Sequence, residues 1–258
     1  MIPRRLVPTV VAVAAAFAAA PSAGAAEPPI RLSACYEIAW GGIGFADLRL
    51  SVIAGSGFTA RTEIETFGLV DLFGPFRFDA TSQGRLAGPG LALPGRYVSL
   101  DGHKPEKRRR TVLDFDPESG AVAEELTPPR DQVRVAPALR VGTVDPLTAV
   151  LQARGAIRRS LEGGPGTVIL PIYDGSKRYD FVLDVHGRVA GPAGQPAIRA
   201  TARVRPIAGF RPRQLDHVQD PAEVVLSDDV YLLPLRVQAG WSSLALVDRR
   251  SDGQPCRS

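Results

Sequence analysis

Two runs of alternating apolar residues meet at Gly41-Gly42, so the stretch from Cys35 to Val52, CYEIAWGGIGFADLRLSV, reads as a β-hairpin. Tyr36, Ile38 and Trp40 share one face of its first strand. Ala46, Leu48, Leu50 and Val52 share one face of its second, while Glu37, Asp47 and Arg49 point the other way. One face is therefore built for burial. The alternation returns at Phe58 to Phe67 and from Phe76 and Phe78 towards Gln83. Shorter strands are expected near Arg96 to Asp101, Arg108 to Phe115 and Ala121 to Leu126. Six more follow at Thr167 to Tyr173, Arg178 to Val185, Ala197 to Arg205, Ala222 to Leu226, Val230 to Val237 and Ser242 to Val247.

Two stretches break the period of two. In Gly68 to Gly74, Leu69, Leu72 and Phe73 fall at i, i+3 and i+4, which predicts one helical turn between glycines. Asp145-Pro146 predicts a helix start, with Asp145 as cap, Pro146 in the first turn, an apolar stripe at Leu147, Val150 and Leu151, and a stop at Gly155. About a dozen strands joined by tight turns favour a mainly β fold. The expectation is a large antiparallel meander curled into a barrel or half-barrel, with one amphipathic helix packed on it or plugging it. The proline-rich stretch from Thr127 to Pro137 is the candidate for a long loop between two halves of that sheet.

The N-terminus reads differently. MIPRR, an apolar run from Leu6 to Ala20 and the small-residue segment PSAGAA have the order of a secretory signal peptide, with the cut after Ala25 or Ala26. The run is shorter than the roughly 20 apolar residues of a membrane span. Residues 1–26 are thus read as the signal and 27–258 as one β-rich domain, periplasmic or secreted. Arg4-Arg5 lacks the continuation of a twin-arginine signal. Leu32-Ser33-Ala34-Cys35 matches a lipobox, but Glu27, Pro28, Pro29 and Arg31 separate it from the greasy run, so lipidation of Cys35 is the minority reading.

Removing Arg4 and Arg5 leaves 29 basic against 27 acidic residues. Such a balance argues against nucleic acid as a partner. Of the two cysteines, Cys35 opens the first strand and Cys256 lies almost at the C-terminus. An exported chain with one such pair is expected to bridge it; two free thiols or a lipidated Cys35 are the alternatives. The run KPEKRRR, with Lys104, Lys107, Arg108, Arg109 and Arg110, reads as a solvated hairpin tip or as a contact for anionic lipid headgroups.

Catalytic signatures are missing. Gly240-Trp-Ser-Ser-Leu244 lacks the final glycine of a nucleophile elbow, and His103, His186 and His217 are scattered with no metal-ligand spacing. Asp228-Asp229 is turn material, and no glycine loop cradles phosphate. No catalytic residue, metal or cofactor is expected. The hairpin YEIAWGGIGFADLRL, the segment FGLVDLFGPFRFDATSQGRL, the strands PGRYVSL and KRRRTVLDFD, the start DPLTAVL and the hairpin YDGSKRYDFVL together resemble the family called domain of unknown function 3108. That resemblance implies an exported bacterial β-rich protein and brings no assigned site residues.

Two functions remain from different classes. The first is a periplasmic protein of envelope maintenance whose concave face binds a hydrophobic or lipid-like ligand, with Trp40, Phe67, Leu69, Leu72, Phe73 and Phe76 as the ligand-binding candidates. The alternative is a non-catalytic structural or assembly module that acts through its surface. An enzyme comes third.

Overall fold

Tyr36 lies opposite Leu48, and Ile38 opposite Ala46, so the first hairpin places both apolar rows on one face as the alternation requires. Gly41 and Gly42 both take positive φ at its turn, a conformation that other residues resist. The computed structural model describes residues 30–68, 75–88, 90–102, 108–127, 135–218 and 220–250. The strands are Ile30–Trp40 (β1), Ile43–Ala54 (β2), Gly57–Thr66 (β3), Arg77–Leu86 (β4), Ala92–Gly102 (β5), Arg109–Phe115 (β6) and Val122–Thr127 (β7). After the helix Pro146–Leu161 (α1) come Thr167–Tyr173 (β8), Arg178–Ala190 (β9) and Pro196–Ala208 (β10). The short helix Pro212–Val218 (α2) precedes Ala222–Ser227 (β11), Pro234–Ala239 (β12) and Ser242–Arg250 (β13).

All 13 strands form one antiparallel sheet in the order β7-β6-β5-β4-β3-β2-β1-β13-β12-β11-β10-β9-β8. Each strand pairs with its chain neighbour except where β1 meets β13, which brings the two ends of the strand run together at the centre. The free edges are β7 and β8, so the barrel is not closed by strand pairing. Residues 135–145 lie along the seam between them. Val144 bridges to Ile172 of β8, and the Gly142 amide donates to the Gly120 carbonyl at the β6–β7 turn. Arg140, buried, bonds the Val135 carbonyl through Nε at 2.9 Å and reaches Glu124 of β7 at 2.9 Å. Tyr173 of β8 donates its hydroxyl to the same Glu124, and the Arg140 guanidinium lies 5.1 Å from the Tyr173 ring centre. One charged side chain thus pins both edges.

The helix α1 occupies part of the interior. It packs chiefly on β8 and β5, with lesser contact to β3, β4 and β9. Leu147 and Leu151 join a core with Leu32, Tyr36, Phe58 and Tyr97, while Ala149, Ala153 and Ile157 join a second with Leu170, Ile198 and Leu226. A helix that buries both flanks is a plug between two halves of the curl. Asp145 caps it as expected, accepting from the amides of Leu147 at 2.9 Å and Thr148 at 3.0 Å.

Several boundaries differ from the sequence reading. The helix does not stop at Gly155 but continues to Leu161. Gly155 serves a close approach: a methyl group there would meet the Cα of Gly90 at 2.4 Å. The strand expected from Val230 begins at Pro234, because Asp229 ties the preceding residues into a turn through the Tyr231 and Leu232 amides. The helix α2 had no counterpart in the pattern. The helical turn expected at Leu69 to Phe73 lies outside the described residues.

Candidate functional site

Seven inward-facing apolar side chains are only half-buried: Ile38 on β1, Leu48 and Leu50 on β2, Ile64 on β3, Phe78 on β4, and Leu244 and Leu246 on β13. Register makes them one surface. Leu244 lies beside Ile38, Leu48 beside Ile64, and Ile64 beside Phe78. The helix α1 makes its main contacts elsewhere and meets the β13-β1-β2-β3 sector of the inner face chiefly at β3, while Leu48, Leu50, Phe78, Leu244 and Leu246 pack against the core around Tyr36, Leu147 and Leu151. In the middle of it Tyr36, between Leu48 and Leu246, is 3 % exposed. Its hydroxyl has no hydrogen-bond partner among the described residues, and burial pushes its pKa up.

A cavity of about 230 Å³ adjoins this surface at the end where α1 begins. Thr62 and Phe78 are common ground: they line the cavity, and Thr62 is in register with Leu50 as Phe78 is with Ile64. The rest of the wall comes from Ala80 on β4, Tyr97, Ser99 and Asp101 on β5, Thr111 on β6, Pro146 and Leu147 on α1, and Asp174 and Ser176 in the β8–β9 turn. Asp174 builds that turn by accepting from the Ser176 and Lys177 amides at 2.8 and 2.7 Å, and Gly175 sits under the Thr111 methyl. Behind the cavity Asp145 accepts from Ser82 Oγ at 2.9 Å and Thr148 Oγ1 at 2.6 Å. Burial raises the Asp145 pKa, against the pull of these donors and of the helix amides.

Hydroxyls and two carboxylates line the cavity without a histidine, lysine or cysteine. Such a wall can accept hydrogen bonds from a polar group, and within it Ser176 Oγ donates to Asp174 at 2.9 Å. At about 230 Å³ the cavity is smaller than the roughly 300 Å³ at which whole-ligand pockets begin.

Three of the residues singled out from sequence lie away from this cavity. Trp40 is 65 % exposed at the tip of the first hairpin, and Phe67 is 37 % exposed. Phe76 is half-buried, its amide bonded to Thr66 Oγ1 at 2.9 Å. None of the three lines the cavity. Leu69, Leu72 and Phe73 lie outside the described residues, as do Lys104, Lys107 and Cys256. Of the basic run, Arg108 is half-buried, Arg109 is exposed, and Arg110 reaches Glu125 at 3.4 Å. Asp228 pairs with Arg188 and Asp229 with Arg249, which leaves them structural work. His186 lies 2.7 Å from Thr201 Oγ1 on the outside, and among the described residues no three His, Cys, Asp or Glu could hold a metal. The inner apolar rows were visible as alternation. The polar wall was not, since it converges from three strands and a turn without a local motif.

An incompletely closed antiparallel sheet wound around a helix defines a barrel-like class. The crystal structure of a beta-barrel-like protein of domain of unknown function DUF1849 from Brucella abortus is similar, with a TM-score of 0.55 over 87 % of this chain and 98 % of that one. At 14 % identity the likeness is one of fold. The family described as "Protein of unknown function (DUF3108)" matches residues 35–241, and the chain belongs to it. No curated protein matches.

Proposed function

We propose that this protein is exported and carries a hydrophobic, lipid-like ligand on its inner face, in maintenance of the cell envelope. The observation behind this reading is the half-buried apolar surface of Leu48, Leu50, Ile64, Leu244 and Leu246 around the unpartnered Tyr36 hydroxyl. An acyl chain would cover those side chains, and burial of each methylene is worth about 0.8 kcal/mol. The adjoining polar cavity suits a headgroup with hydrogen-bond donors, which Asp101 and Asp174 would accept.

Export rests on the charged start, greasy run and small-residue segment of residues 1–26. The Cys35–Cys256 disulfide belongs to the same reading. Among the described residues there is no free cysteine, and β13 ends with Arg250 in register with Ser33, two residues from Cys35. In the chain-entropy model a bridge closing so long a loop stabilises by about 5 kcal/mol.

Titration of the delipidated mature protein with a dansylated fatty acid tests the binding. Saturable enhancement at one site is expected, weakened about tenfold by Leu50→Gln, which puts an amide against the chain. Enhancement that never saturates, or that the variant leaves unchanged, refutes the inner face as the site.

A further inference from the structure

Both tryptophans of the chain stand at one end of the barrel, on neighbouring hairpin tips. Trp241 is 77 % exposed, Ile43 74 % and Trp40 65 %. The Gly41 amide donates to the Trp241 carbonyl at 2.8 Å, locking one tip to the other. Both turns are tight, with positive φ at Gly41, Gly42 and Gly240, so the indoles project from a fixed platform. Two large apolar side chains presented rigidly to water gain nothing for folding. Indole, with an apolar body and one N–H donor, is suited to the boundary between headgroups and acyl chains.

The two ends differ only slightly in charge. At the tryptophan end the described connections carry Arg108, Lys177, Arg211 and Arg213 against Asp174, Asp216 and Asp220, with Arg211 and Arg213 exposed. At the other end they carry Asp116, Glu118, Glu162, Asp228 and Asp229, offset by Arg158 and Arg159 in the last turn of α1 and by Arg188 and Arg249, which pair with Asp228 and Asp229. Glu37 and Asp47, paired in register, oppose the trend near the tips. They lie on the outer face, and the Glu37 carboxylate reaches forward over Gly44, next to Ile43 in the chain.

From these observations we propose that the barrel docks on an anionic lipid bilayer through Trp40, Ile43 and Trp241, with Arg211 and Arg213 meeting the headgroups. A bilayer suits this end better than a protein groove because the apolar element is a pair of tips flanked by cations, a shape that enters an interface rather than filling a pocket. The proposal stands whatever the inner face binds.

The mature protein carries its own reporters, since its two indoles are the two docking groups. It is mixed with vesicles of phosphatidylcholine alone and of phosphatidylcholine with phosphatidylglycerol. Indole emission is read with and without brominated acyl chains, and flotation is read in parallel. The expected result is a blue shift and bromine quenching with the anionic vesicles. Flotation should fall about tenfold in Trp40→Ser/Trp241→Ser, and Arg211→Glu/Arg213→Glu should lose only the preference for the anionic lipid. Emission unmoved by lipid overturns the proposal, whether the protein floats by another face or stays in solution. So does a blue shift that grows with protein concentration in lipid-free buffer, because a second copy then covers the tips.

Discussion

The hydroxyl of Ser82 donates to the carboxylate of Asp145 at 2.9 Å, joining β4 to the helix start across 63 positions of the chain. Both groups are fully buried, and the same carboxylate caps the first helical turn through the Leu147 and Thr148 amides. The plug is therefore anchored at its N-terminus by polar contacts inside an apolar shell. Asp145→Ala is expected to cost about 3 kcal/mol, combining a lost cap with orphaned donors, and Ser82→Ala about 1 kcal/mol. Urea denaturation of both variants reads the difference, and equal effects would contradict the anchoring role.

The seam makes a second prediction. Arg140 touches Glu124 of β7, the Val135 carbonyl and the ring of Tyr173 on β8. Arg140→Met removes the cation and leaves Glu124 largely buried with the Tyr173 hydroxyl as its remaining seam partner. A loss of about 3 kcal/mol is expected. Hydrogen exchange should show β7 and β8 losing protection first, while β1 and β13 at the middle of the sheet stay protected. Uniform loss of protection would show that the edges are not held separately.

Gly155 tests a different kind of contact. Alanine favours a helix interior over glycine by about 1 kcal/mol. Here the added methyl would fall 2.4 Å from the Gly90 Cα, where backbone must move. Gly155→Ala is therefore expected to lower stability by about 2 kcal/mol against its propensity. A thermal melt showing stabilisation would mean that the connection around Gly90 yields freely.

That glycine also shows where sequence reasoning stopped. Alternation at Tyr36, Leu48 and Ile64 reports a local period, and so the strands, their faces and the curled meander were legible. Asp145-Pro146 was legible because a cap needs only its own next three residues. Gly155 reads as a helix stop unless Gly90, 65 positions away, is known to lie against it. The site divides the same way: Leu48 and Leu50 announce a buried face, whereas Asp101, Thr111 and Asp174 become one wall only through strand order. Trp40 does continue the inner row of β1, but the row ends at the tip and leaves the ring outside.

Acid should loosen the β11–β12 turn. Partial burial works to raise the carboxyl pKa of Asp229, but the Tyr231 and Leu232 amides, Arg249 and Ser227 outweigh it and hold the value below the ordinary 3.8. A depressed folded-state pKa contributes stability above about pH 4 that is lost as pH falls through and below 3.8. In Asp229→Asn the unfolding free energy should accordingly fall less steeply between pH 5 and about pH 3 than in the parent. Parallel slopes would remove Asp229 from the acid response.

The central claim is that the inner face holds a lipid-like ligand. Native mass spectrometry of the mature protein, purified gently from its own envelope beside a denatured aliquot, addresses it most directly. An adduct of lipid mass is expected, released by denaturation and carried at lower occupancy by Leu50→Gln protein. A chain that is bare in both aliquots, obtained without detergent or delipidation, would contradict it.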